Sequence, residues 1–161
     1  MDQAPSHSPR RRLIVGAILL TLGCLIGLIA VLVMAASRSS LPREITDRAT
    51  FPVYYPKPLP HGYQYIKGSA QLENRLLSYK LENGPHIITI TEQATPSNPP
   101  DLAHLPGFKS LDVPSAYAAI GKNMGQPVAI VLNPTTLITI NSAGGVPPSA
   151  VSDCAKALRP R

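Results

Sequence analysis

The sequence predicts an α+β fold behind an N-terminal transmembrane helix: a small curved antiparallel sheet of about six or seven strands with a C-terminal helix packed on it. Three observations predict it. Residues 13–36, LIVGAILLTLGCLIGLIAVLVMAA, run for 24 positions without a charge or a proline. Short segments of alternating hydrophobicity, separated by turn residues such as Asn83-Gly84, fill most of the chain beyond that block. Near the end, Val151, Cys154, Ala155 and Leu158 fall at i, i+3, i+4 and i+7, one apolar face of a helix.

The 161 residues carry 15 Lys plus Arg against 9 Asp plus Glu, a net charge of +6, with 44% hydrophobic residues. That average joins an apolar block to a more polar remainder, and the remainder is long enough for one small folded domain. The composition fits neither a disordered chain nor a coiled coil nor a disulfide scaffold. The basic residues beyond the block are scattered, without the basic and aromatic interleaving of a nucleic-acid surface, so no nucleic acid is expected as a partner.

Residues 1–12, MDQAPSHSPRRR, have no apolar periodicity and read as a disordered basic cytoplasmic stub. Residues 13–36 come next. At ~1.5 Å per residue a helix of this length is about 36 Å long, more than the ~30 Å hydrocarbon core, and it exceeds the roughly 7–15 apolar residues of a cleaved signal. The segment therefore reads as a signal-anchor with the lipid bilayer as its partner. Arg10, Arg11 and Arg12 are the topology determinants, because basic residues stay on the cytoplasmic side. The expected location is the cell membrane, single-pass, with the N-terminus cytoplasmic and the C-terminal domain extracytoplasmic.

Within the block, Leu-Thr-Leu-Gly-Cys24 loosely resembles a lipoprotein acylation site, although the sequence after Cys24 stays apolar where a mature lipoprotein turns polar. Cleavage or lipidation at Cys24 stays open. Gly16, Gly23 and Gly27 lie along one helix face where two backbones could approach, a candidate helix–helix interface for a homodimer.

Residues 37–50 are polar and mixed in charge, a juxtamembrane linker. The extracytoplasmic α+β domain spans 51–161. Its opening, FPVYYPKPLP, has proline at 52, 56, 58 and 60, which forces extended backbone and excludes a helix or central strand. Residues 63–70 read as a first strand and 75–82 as a second, half-buried one. Asn83-Gly84 marks a hairpin whose return strand is 86–92, HIITITE. Residues 93–107 carry four prolines and read as a long surface loop, a kind of segment that is often functional. Periodicity resumes at 108–113, and strands come at 116–120, 128–132 and 136–141. Residues 142–145 break the last strand, and Pro147-Pro148 opens the final helix, where prolines cost no internal hydrogen bond.

A resemblance joins these segments. Tyr55-Pro56, Leu59-Pro60 and Gly62-Tyr63 at the opening, and the late strand leading into a helix over 137–158, resemble an uncharacterised bacterial extracytoplasmic domain that follows a single membrane helix and also occurs in membrane-bound anti-sigma-like regulators. The likeness covers about 110 residues and implies a sheet-and-helix domain outside the membrane, with no catalytic residue. The chain departs from the pattern in having no tryptophan in the late strand and no cytoplasmic sigma-binding domain.

Few residues fall into a pattern that carries chemistry. His7, His61, His86 and His104 form no local metal pair, and neither HExxH, a CxxC site, a nucleophile elbow nor a phosphate loop is present. Glu73, Glu82, Glu92, Asp101 and Asp112 are expected on exposed strands and turns. No cofactor, metal or catalytic residue is assigned, and the chain is not expected to be an enzyme. The leading expectation is a membrane-anchored module that binds or senses an envelope protein or cell-wall partner. Tyr54, Tyr55, Tyr63 and Tyr65, or the loop over 95–107, would engage it. The runner-up is an accessory subunit of a membrane complex that acts through its transmembrane helix, and an envelope hydrolase comes last.

Overall fold

β-branched and aromatic residues at alternate positions give this chain its sheet. The computed structural model describes residues 41–161. A short helix, α1 (Arg43–Thr46), leads into β1 (Tyr54–Pro56), and then come β2 (Gln64–Tyr65), β3 (Gln71–Glu73), β4 (Leu76–Asn83) and β5 (His86–Ala94). A single 3-10 turn, Leu102–His104, precedes β6 (Lys109–Ser110), β7 (Tyr117–Asn123), β8 (Gln126–Leu132) and β9 (Thr136–Ala143). Helix α2 (Pro148–Lys156) and β10 (Leu158–Pro160) close the chain.

An eight-stranded antiparallel sheet runs β2-β4-β5-β9-β8-β7-β6, with β3 also paired to β4, and β1 pairs with β10 in a separate two-stranded sheet. Register sorts the side chains into two faces, because residues paired across strands share a side. On the inner face one row reads Leu77, Glu92, Ile138, Val131, Ala118, and the next reads Tyr79, Ile90, Ile140, Ala129, Ile120. Helix α2 packs on β8 and β9 over this face, presenting Ala150, Val151, Cys154 and Ala155, and it also touches β1. Three of the four positions whose spacing predicts this helix, Val151, Cys154 and Ala155, lie on the face it buries, while Leu158 falls beyond it at the start of β10.

The lead-in to β1 is held on the inner face by buried polar side chains. Thr136 Oγ1 donates to Pro52 O, Tyr79 Oη donates to Tyr54 O, and Glu92 Oε2 accepts from the Tyr54 N–H, each at 2.8 Å. Arg161 N–H donates to Val53 O at 3.0 Å on the β10 side. Four backbone groups of a proline-rich strand that cannot enter the large sheet are satisfied in this way.

Three expectations are corrected. The described residues are mostly β, 45% in strands with few helices, so the α+β class gives way to a β-rich fold. The expected six or seven strands become ten among the described residues, because 63–70 breaks into β2 and β3, and because the chain end forms β10 against β1. The transmembrane, single-pass expectation also fails to appear in the structure: no helix among the described residues is long and apolar enough to cross a membrane. The two described α-helices have four and nine residues, far short of the ~20 that a span needs. Residues 13–36, with Gly16, Gly23, Cys24 and Gly27, and Arg10, Arg11 and Arg12 before them, lie outside the described residues.

Candidate binding site

The outer face of the sheet carries its own rows, displaced by one residue from the inner ones. One of them reads Leu76, Gln93, Leu137, Leu132, Tyr117 across β4, β5, β9, β8 and β7. Leu76 is 38% exposed and Tyr117 78%, two of the three exposed large apolar side chains among the described residues. At ~4.8 Å between strands the row is about 19 Å long.

Local turns shape its Tyr117 end. Val113 and Ala116 form an isolated antiparallel bridge, and Ser115 between them takes the left-handed region, φ 59°. Left-handed backbone is uncommon for a residue other than glycine and concentrates at sites where the fold demands a particular shape. This tight turn delivers Tyr117 at the first position of β7. Opposite it, the β8–β9 turn is closed by Asn133 N–H to Thr136 O at 3.0 Å, and Thr95 Oγ1 donates to Asn133 O at 2.9 Å. The start of the proline-rich loop is thereby tied to the turn.

Between these turns lies a groove of about 550 Å³, within the usual range for ligand sites. Leu132 and Ala116 line it together with Tyr117, Pro99, Pro134 and Thr95, and no lining residue is charged. A second groove of about 300 Å³ shares Ala116 and Tyr117 and is lined by Leu102, Leu111, Val113 and Asp112. The larger groove takes Leu132 from β8, and the smaller takes Ser110 from β6 and Ala118 from the inner row of β7.

Asp101, at the 3-10 turn beside the smaller groove, is already engaged. Its Oδ1 accepts from Ala103 N–H at 3.1 Å and its Oδ2 lies 2.7 Å from His104 Nδ1. The hydrogen bond from His104 is the main reason its carboxyl is held below the ordinary range. Farther along β7, Gly121 lets the Phe108 ring lie against the strand, since a Cβ there would come within 2.8 Å of the ring.

The tyrosines expected to bind a partner are mostly interior. Tyr55, Tyr63 and Tyr65 are 2%, 8% and 7% exposed, and Tyr54 is half-buried. Tyr55 stacks on Tyr79 with ring centroids 5.7 Å apart, and burial pushes its hydroxyl up to about 12. The hydroxyls of Tyr63 and Tyr65 are buried without a hydrogen-bond partner. Of the two features expected to engage a partner, the loop over 95–107 borders both grooves through Thr95, Pro99, Leu102 and Ala103.

Sequence reasoning does not single out Tyr117, Leu132 or Leu76. Strand periodicity places them in strands, but nothing local says that they share a row, since that depends on register among strands distant in sequence.

The buried reactive groups face inward. Glu92, expected on an exposed strand, is 0% exposed because it continues the inward alternation of Ile88 and Ile90. Desolvation raises its carboxyl to about 8, against the pull of the Tyr54 N–H and the nearby Tyr79 hydroxyl, and Oε1 has no partner. Cys154 is 0% exposed, and burial, with a smaller push from Asp153, raises its thiol above the ordinary range. His61, His86 and Asp153 line a third cavity of about 270 Å³, where His86 Nδ1 is 2.6 Å from Gly144 O and so carries the ring hydrogen. No group of three His, Cys, Asp or Glu among the described residues is placed to hold a metal.

Compared with protein-family models and with curated proteins, the chain matches none.

Proposed function

We propose that residues 41–161 form a binding module whose partner seats on the outer face at its Tyr117 end. The observation that carries this reading is the exposed Tyr117, which stands beside Leu132 and Leu137 at the end of an outer row and walls an uncharged groove of about 550 Å³. An aromatic ring presented to solvent beside an apolar floor is the composition of an interaction hot spot. Burying an unpaired charge there costs several kcal/mol, on the order of the larger penalties for polar burial, so the groove selects an uncharged, largely apolar group. The partner proposed is an envelope protein offering a short apolar stretch. An extracytoplasmic location belongs to the same proposal and is supported by Arg10, Arg11 and Arg12 ahead of the apolar residues.

Fluorescence anisotropy tests the binding. The full chain is titrated with a labelled Gly-Ser-Leu-Val-Leu-Ser-Gly peptide, alongside the Tyr117→Ala and Leu132→Asp variants. Each variant is expected to weaken binding by about tenfold, the size of a truncated hot-spot contact. Absent binding, or equal binding by all three proteins, overturns the reading.

A further inference from the structure

Two grooves of unlike chemistry share one tyrosine, and that pairing restricts the segment that can occupy them. The larger groove, which takes Leu132 from β8, has no charged residue in its lining. The smaller, which takes Ser110 from β6, is lined by Asp112. Asp112 is exposed, and its carboxylate makes no hydrogen bond or ion pair among the described residues. The neighbouring carboxylate is different, because Asp101 already holds the Ala103 N–H and His104. Asp112 is therefore the charge at this site that is open to a partner. The Tyr117 ring beside it, 78% exposed, offers a face that attracts cations.

Side chains of adjacent residues leave an extended backbone on opposite sides. Leu111 pairs with Ala118 and Val113 with Ala116, so Asp112 stands across from Tyr117, and an extended backbone over Tyr117 can send one side chain into the uncharged groove and the next toward Asp112. We infer that the partner segment is an extended peptide in which an aliphatic residue adjoins a Lys or Arg. The aliphatic side chain fills the uncharged groove, and the cation lies over Tyr117 toward Asp112. The local acidity runs against the chain's net positive charge, so the match belongs to this site and not to the overall field. This inference rests on the binding-module reading and deepens it by naming the partner's chemistry.

The test uses the full chain and three labelled peptides, Gly-Ser-Leu-Arg-Ser-Gly, Gly-Ser-Leu-Gln-Ser-Gly and Gly-Ser-Leu-Glu-Ser-Gly, titrated by anisotropy at low and at high salt. The Leu-Arg peptide is expected to bind about fivefold tighter than Leu-Gln, with Leu-Glu weakest, and the differences shrink at high salt. The Asp112→Lys variant is expected to reverse the order of Leu-Arg and Leu-Glu. Asp112 is exposed, so this variant folds, and a matching thermal transition checks it. Equal binding of the three peptides to the unsubstituted protein overturns the inference while leaving the groove reading intact. Binding of none of them overturns both. Displacement of the peptides by self-association at rising protein concentration makes a second copy the occupant and overturns the inference as well.

Discussion

The Tyr54 N–H donates to Glu92 Oε2 at 2.8 Å, which sets a carboxyl group between Leu77 and Ile138 on the apolar face of the sheet. Burial lifts that carboxyl from 4.5 to about 8, so the folded state favours its protonated form. The stabilisation from this group is complete below about pH 4.5 and is lost as the pH rises through about 8. Between those limits the slope from one group approaches ~1.4 kcal/mol per pH unit. Urea denaturation at pH 5, 6.5 and 8 is expected to show falling stability, and Glu92→Gln to flatten the fall. An unchanged slope in the variant contradicts the burial of Glu92.

Tyr79→Phe removes the donor to Tyr54 O from a residue that is itself 0% exposed. A buried carbonyl left without its partner costs about 1–3 kcal/mol. The variant is expected to lose that much in urea denaturation and to exchange its Tyr54 amide hydrogen faster than wild type, because the lead-in strand is held there from both sides. Loss of stability without faster exchange at Tyr54 contradicts the anchoring role.

Particular residues show what the sequence makes legible. The alternation of Leu77, Tyr79 and Leu81 and the helical spacing of Val151, Cys154 and Ala155 are local signals, and each matches a buried face, while Leu158, next in the helical spacing, is buried from β10 instead. The hairpin is signalled by Asn83-Gly84, although its two turn residues are Gly84 and Pro85, with Asn83 closing β4 opposite His86. Glu92 is misjudged from sequence because a polar residue at an inward position is normally an edge, and its compensation comes from Tyr54, 38 residues away. Strand β10 is missed because Leu-Arg-Pro has strand character only when paired with β1. The Tyr117 groove is hidden for the same reason: Leu76 and Tyr117 become ends of one row through four pairings between strands, none of which leaves a mark on local composition.

Cys154 gives a direct probe of the inner face. It is fully buried between α2 and the sheet, with its thiol pushed toward the unreactive neutral form. Alkylation by iodoacetamide at neutral pH, read by peptide mass mapping to separate Cys154 from Cys24, is expected to leave Cys154 unmodified in the native protein and to modify it fully in urea. Rapid native labelling contradicts the packing of α2 on the sheet.

Stability and binding are expected to separate at two tyrosines. Tyr117 projects into solvent, so Tyr117→Ala is expected to change unfolding free energy by no more than about 0.5 kcal/mol. Tyr79 fills the core, so Tyr79→Ala is expected to cost about 3–5 kcal/mol. A large loss at Tyr117 in thermal or urea melts shows that its ring is packed and withdraws it from the proposed surface.

Chemical-shift mapping of the isotope-labelled full chain with the unlabelled Gly-Ser-Leu-Val-Leu-Ser-Gly peptide tests most directly whether the Tyr117 groove is a binding site. The expected perturbations cluster at Thr95, Pro99 neighbours, Ser115 to Tyr117 and Leu132 to Asn133, and they are absent around the cavity lined by His61, His86 and Asp153. Perturbations centred on that cavity, or none at saturating peptide, contradict the account.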